Sequence, residues 1–351
     1  MKFDFAIGNP PYQEDTIGDN KTYTPPVYDK FMDAAYQVAK KVELIHPAKF
    51  LFNAGGTPKK WNEKMLNDEH FKILDYQEDA TRVFPTTEIK SGVVISYRDE
   101  TSNFGSIGVY IKQKELNSIL HLVRNRPDFV SLSEIAVSSY AYHFTKKMHQ
   151  DFPMAKSRLS KGHEDDLKSN TFDNLPDVLL IEKPNDGKKY IQVMGREKNA
   201  GNDKKKDRAR RFIREDYITE VSNLHKYKIF LSCANGKGFF GESLTLPFVV
   251  EPGVASTETF ISLGSFDDEV SANNLMKYIQ SKFARTLLGI KKVTHHITVD
   301  TWAYVPLQDF TSQSDIDWTK SIHEIDQQLY AKYGFSPEEI EFIESHVKEM
   351  E

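Results

Sequence analysis

The run Phe3-Asp4-Phe5-Ala6-Ile7-Gly8 passes directly into Asn9-Pro10-Pro11-Tyr12. The first six residues read as a β-strand, apolar and rich in aromatic side chains. The two prolines hold φ at about −65° and carry no N–H, so the strand cannot continue past Gly8 and the turn behind it is rigid. No other segment limits the fold as tightly. A strand has to stop here and present an amide, a proline carbonyl and an aromatic ring at its carboxyl end, the place where open α/β sheets hold ligands. The two oxygens can accept both hydrogens of a planar amino group, and the ring can stack on the group that bears it. The plainer alternative is a Pro-rich turn that only closes a strand.

Beyond this turn the sequence has the rhythm of an α/β sheet. Tyr28, Phe31, Ala35, Val38 and Ala39 fall at helical spacing and predict a helix over 25–41. Val42–Pro47, Phe71–Tyr76 and Gly92–Tyr97 then read as three strands. Arg82-Val83-Phe84-Pro85 lies between the last two.

The Asn9–Tyr12 segment resembles the catalytic motif of gamma-class adenine-N6 DNA methyltransferases, especially the methylase part of type IIG and type ISP restriction–modification enzymes. The resemblance implies that Asn9 and Pro10 accept hydrogen bonds from the adenine amino group, that Pro11 stiffens the turn, and that Tyr12 stacks on a base swung out of the duplex. It gives Phe84 the opposite wall of the base pocket and makes S-adenosylmethionine the methyl donor. The implied fold is α/β: the C-terminal half of a Rossmann-like methyltransferase sheet over residues 1–104, an α+β target-recognition domain over 105–312, and an acidic helical hairpin tail over 313–351. The same four residues occur in protein-glutamine and ribosomal-RNA methyltransferases, so the motif specifies the chemistry better than the substrate.

Gamma-class chains hold the donor with a Gly-rich turn and an acidic residue placed ahead of the motif. Here the motif begins at residue 9, and the expectation is an acceptor-base and DNA-recognition portion that is incomplete as a single chain. Gly236-Lys237-Gly238-Phe239-Phe240-Gly241 has the spacing of a dinucleotide turn, yet the extended pattern after it predicts a tight loop between strands instead. The strand Phe3–Ile7 is expected to have its open edge covered by a second polypeptide or by self-association.

The net charge of −5 requires double-stranded DNA, the expected partner, to meet a local basic surface. Lys204, Lys205, Lys206, Arg208, Arg210 and Arg211 supply one candidate, and Lys291, Lys292, His295 and His296 another, on the loop after a helix through Leu275, Tyr278, Ile279, Lys282, Phe283 and Thr286. Adjacent histidines seldom share an ion, and no metal is expected. The single cysteine, Cys233, excludes an internal disulfide and reads as a buried thiol. No run approaches the ~18 apolar residues of a membrane span, and the protein reads as cytoplasmic. Two rival functions stay open: a catalytically inactive DNA specificity module, and methylation of a protein glutamine or an RNA.

Overall fold

The computed structural model describes residues 2–14, 24–52, 56–85, 89, 92–111, 113–199, 202–236, 238–292 and 295–350, with backbone alone at 198–199 and 202–207. The chain forms two compact units, Met1–Asn117 and Ser118–Glu351.

Unit 1 runs β1 (Phe3–Gly8), α1 (Tyr28–Val38), β2 (Ala39–Pro47), α2 (Lys59–Leu66), β3 (Phe71–Gln77) and β4 (Val93–Asp99). The strands form one sheet in the order β1-β2-β4-β3. β1 and β2 are parallel, and β4 lies antiparallel between β2 and β3. Helix α1 stops at Val38 rather than near residue 41, because Ala39 and Lys41 are taken into register with Phe3 and Phe5. Met32, Phe50, Met65 and Phe71 fill the core and are fully buried. His46 is buried among them, with Nε2 2.7 Å from Ser96 Oγ and its ring stacked on Tyr28 at 5.7 Å. Burial pushes its imidazole down to about 4. Ala6 packs on the same core, whereas Phe3, Phe5 and Ile7 alternate to the other face of β1 and are 71%, 58% and 77% exposed.

The division between the units falls within α3 (Lys114–Arg124). Unit 2 continues with β5 (Ala136–Val137), three short helices α4 (Lys146–Asp151), α5 (Ala155–Arg158) and α6 (Thr171–Asn174), then β6 (Tyr190–Asn199), β7 (Asn202–Arg214), β8 (Tyr227–Ser232), β9 (Phe248–Val250), β10 (Val254–Ser256) and β11 (Phe260–Phe266). Helices α7 (Glu269–Gln280), α8 (Lys282–Lys291), α9 (Ile322–Tyr333) and α10 (Pro337–His346) complete it. β10-β6-β7 form one sheet and β5-β11-β8-β9 a second. The β6–β7 pair alternates between two cores. Val193 and Ile213 enter the one built on Phe144 and Phe172, and Met194 enters the one built on Phe230 and Phe260.

Unit 2 departs from the sequence pattern at one helix and at Cys233. The single helix expected through Leu275 and Thr286 is two, because Ser281 is extended (φ −61°, ψ 150°) and caps α8 by accepting from the Ala284 N–H at 3.1 Å. In the tail, Ser321 and Glu324 form the capping box that starts α9. Cys233 is half-buried, not enclosed. The acidic tail packs within unit 2, burying Ile325, Leu329 and Ile343, and the Lys348 N–H donates to the Gly241 carbonyl at 2.9 Å. Among the described residues no helix is long and apolar enough to cross a membrane.

Candidate active site and basic surface

The parallel pair β1–β2 delivers Asn9-Pro10-Pro11-Tyr12 to its carboxyl end, one residue beyond the Gly8–Leu44 register pair. The segment is fastened from behind. The Val27 N–H donates to the Tyr12 carbonyl at 3.1 Å, the Glu14 N–H donates to the Pro25 carbonyl at 3.0 Å, and Gln13 bridges Pro26. Asn9 is exposed and Pro10 half-buried, and no described residue hydrogen-bonds the Asn9 side chain or the Pro10 carbonyl. Both acceptors are therefore open to an incoming amine.

Tyr12 and Phe84 meet edge to face, ring centroids 6.2 Å apart and planes at 76°. Phe84 is brought there by the turn after Asp79, whose carboxylate accepts from the Thr81 N–H at 3.1 Å, and by its own N–H donating to the Ala80 carbonyl at 2.8 Å. The Tyr12 hydroxyl is buried with no partner among the described residues, and burial pushes it up to about 12. It is thus a neutral donor at any ordinary pH. Thr87 and Lys90, next along, lie outside the described residues.

The Gly236–Gly241 run does not fit a methyl-donor site. Gly236 (φ +62°) has the Glu242 carboxylate where a Cβ would sit, and a Cβ on Gly241 (φ +73°) would strike the His346 carbonyl. These glycines admit the chain's own close approaches. Glu242 accepts from the Gly238 N–H at 2.9 Å and pairs with Lys292, and irregular backbone continues where a helix would have to begin.

The basic residues have unequal fates. Lys204, Lys205 and Lys206 lie on β7, and their side chains fall outside the described residues. Arg210 is ion-paired with Glu251, and Arg211 with Glu197. Arg208 is exposed and lies over the Phe248 ring at 4.4 Å. Lys291 pairs with Asp300 at 2.7 Å. Lys292, expected to face DNA, is buried with its ammonium on Glu242; the expectation fails because the residue ends α8 on its inner side. The His295 and His296 rings are 3.9 Å apart, and the His295 carbonyl accepts from the Asn235 N–H. Among the described residues no cluster of metal ligands occurs.

Residues 1–84, roughly the first quarter of the chain, match the family model described as Eco57I restriction-modification methylase. The chain is 30% identical over 95 residues to an "uncharacterized adenine-specific methylase" of Mycoplasma pneumoniae, a match covering 26% of this chain and 22% of that protein. It thus spans only a minor part of the length of the curated relative it matches. Similar solved structures include the type IIG restriction endonuclease BpuSI (TM-score 0.31, 11% identity, covering 93% of this chain and 48% of that one). Others are the DNA-bound type ISP restriction-modification enzyme LlaBIII (0.26, 10%, 98% and 29%) and the type IIL restriction-modification enzyme MmeI in complex with DNA (0.29, 10%, 98% and 56%). These structural likenesses are loose. The match that carries weight is the methylase family over residues 1–84.

Proposed function

We propose that this chain is the acceptor-base and DNA-recognition portion of an adenine-N6 DNA methyltransferase of a restriction–modification system. The observation that carries the reading is the join of three groups at the end of β1: the open Asn9 and Pro10 acceptors, and the Tyr12–Phe84 pair beside them. Accepting both amine hydrogens turns the nitrogen from planar toward tetrahedral and releases its lone pair, an interaction that grows as the bond to carbon forms. Tyr12 offers a face to a base removed from the stack, and Phe84 holds Tyr12 from the side. The strand order β1-β2-β4-β3, with β4 reversed, supports the C-terminal half of a Rossmann-like methyltransferase sheet.

S-adenosylmethionine is the methyl donor that a methylase family implies, and the described glycine run does not fit it. The open face and edge of β1, with Phe3, Phe5 and Ile7 exposed, is where a further strand would complete the sheet, from a second polypeptide, a second copy or additional chain.

The test needs no donor. A duplex with 2-aminopurine opposite an abasic site should brighten when the protein extracts the base, and competition with the adenine duplex should reverse the signal. Tyr12→Ala should abolish it, whereas Asn9→Ala should weaken the competition by the adenine duplex, because 2-aminopurine carries no amino group at C6. An unchanged signal in Tyr12→Ala, or equal competition by a glutamine peptide, would overturn the assignment.

A further inference from the structure

Unit 2 contains a cleft of about 670 Å³ with Tyr140, Arg196, Ser232, Cys233, Glu258 and His296 among its walls. These residues come from separate stretches of chain and are fixed by backbone bonds. The Cys233 N–H donates to the Thr259 carbonyl at 2.9 Å, the Ile297 N–H to the Cys233 carbonyl at 2.8 Å, and the Glu258 N–H to the Leu167 carbonyl at 2.8 Å. The opening is preformed.

Two observations point to a ligand. Ser232 is 4% exposed at the cleft wall and its hydroxyl has no partner among the described residues. An unpaired buried hydroxyl costs stability and is retained where something else satisfies it. Arg196 also stands in register directly opposite Arg208 on β7, and neither is ion-paired with a described carboxylate. Like charges placed across a strand pair oppose folding, so this pair too is explained by an external acceptor. Of the acids nearby, Glu251 is engaged by Arg210 and Glu197 by Arg211, and Glu258 shares the cleft with Arg196 without forming an ion pair among the described residues.

We infer that this cleft reads one G·C base pair of the target by its major-groove edge, with Arg196 donating to guanine and Glu258 accepting from cytosine. The inference rests on the proposed DNA function. A G·C pair presents O6 and N7 as acceptors and the cytosine N4 hydrogens as donors, which a guanidinium fork and a carboxylate meet together. The Glu258 carboxylate is held in place, since it accepts from the Ser169 N–H at 3.1 Å and from the Tyr140 hydroxyl. A carboxylate has about four lone-pair sites, so acceptor capacity remains. Arg208, its guanidinium 4.4 Å from the Phe248 ring centroid, is placed to take an adjacent phosphate.

The experiment is selection from a randomised duplex library with the full chain, followed by affinity measurement over a salt series. The wild type should fix at least one G·C pair. Arg196→Lys, which keeps the charge and loses the fork, and Glu258→Gln, which loses the acceptor charge, should each relax that pair and lower affinity for the selected duplex about ten- to a hundredfold, with non-specific binding intact. Alkylation of Cys233, the single cysteine of the chain, should be slowed by the selected duplex in the wild type, a readout that needs no variant. Selection of the same sequence by both variants overturns the inference. So does a uniform loss of affinity with a shallower salt slope, which would make Arg196 a phosphate contact. Binding of no duplex at all overturns the DNA reading with it, whereas a positive 2-aminopurine signal with no G·C preference overturns only this one.

Discussion

Mild acid should open unit 1 through His46. Its side chain is wholly buried and its pKa stands at about 4, against 6.5 for the free imidazole. The sign comes from proton counting. Between those values the unfolded chain binds a proton that the folded chain refuses, so the stabilisation is complete above pH 6.5 and is lost as pH falls toward 4. With both pKa values, the loss from pH 7.5 to pH 5 is about 2 kcal/mol, or roughly thirtyfold in the opening equilibrium. The effect should reach the Asn9–Tyr12 turn. Tyr28 stacks on His46, and the N–H of the preceding Val27 holds the Tyr12 carbonyl. Hydrogen exchange of peptides from Ala39–Pro47 and Val93–Asp99, corrected for intrinsic rates, measures it at the two pH values in wild type and His46→Gln. The wild type should lose this protection on acidification, and His46→Gln, which has nothing to titrate, should lose much less. Equal losses in the two proteins, or a His46 resonance titrating near 6.5, would refute the reasoning.

Unit 2 should gain stability in alkali through Lys228, by the same sign of proton counting. Lys228 is fully buried, its ammonium donates to the Leu224 and Lys226 carbonyls at 3.2 and 3.1 Å, and burial pushes it down to about 8 from 10.5. Folding is opposed below pH 8 and relieved above it, so denaturant midpoints should shift by on the order of 2 kcal/mol in favour of wild type over Lys228→Met from pH 7 to pH 10. Gly195→Ala should destabilise unit 2 by about 1–3 kcal/mol in thermal unfolding, since the new Cβ would stand 2.8 Å from the Phe172 ring and 2.9 Å from the Thr257 methyl. Ser336→Ala removes the cap that accepts from the Glu339 N–H and should cost about 1 kcal/mol, seen as faster exchange across Pro337–His346.

Unit 1 was legible because its strands are short apolar runs with turn residues between them. Val42–Pro47 and Phe71–Tyr76 are found as β2 and β3. The end of α1 was not legible. Val38-Ala39 continues the helical pattern, and only pairing of Ala39 with Phe3, far away in sequence, converts it to strand. The break at Ser281 left a readable sign, a capping serine inside an apolar helical stripe, which the spacing of Leu275 to Thr286 concealed. The resemblance named Tyr12 and Phe84 for opposite walls of one base pocket, and nothing in the spacing between them shows that the two rings meet edge to face.

The basic surface shows why charge runs read poorly from sequence. The Lys204–Arg211 stretch counts as a block of phosphate donors when each residue is taken alone. As a strand it alternates, and a partner strand decides what each side chain can reach. Arg211 faces Phe172 and Glu197, and Arg210 reaches Gln192 and Glu251, so both charges are neutralised before any nucleic acid arrives. Arg208 keeps its charge because the residue opposite is another arginine. Composition counts Arg196 and Arg208 no differently from their neighbours, yet register makes them a pair that attracts an anion or a base edge. Tyr140, Arg196 and Glu258 are too far apart along the chain for any motif to join them; the folding of unit 2 around its two sheets does so. If the chain reads DNA, its specificity should therefore follow cross-strand neighbours that carry uncompensated charge, and neutralising substitutions at Arg210 or Arg211 should change stability more than sequence preference.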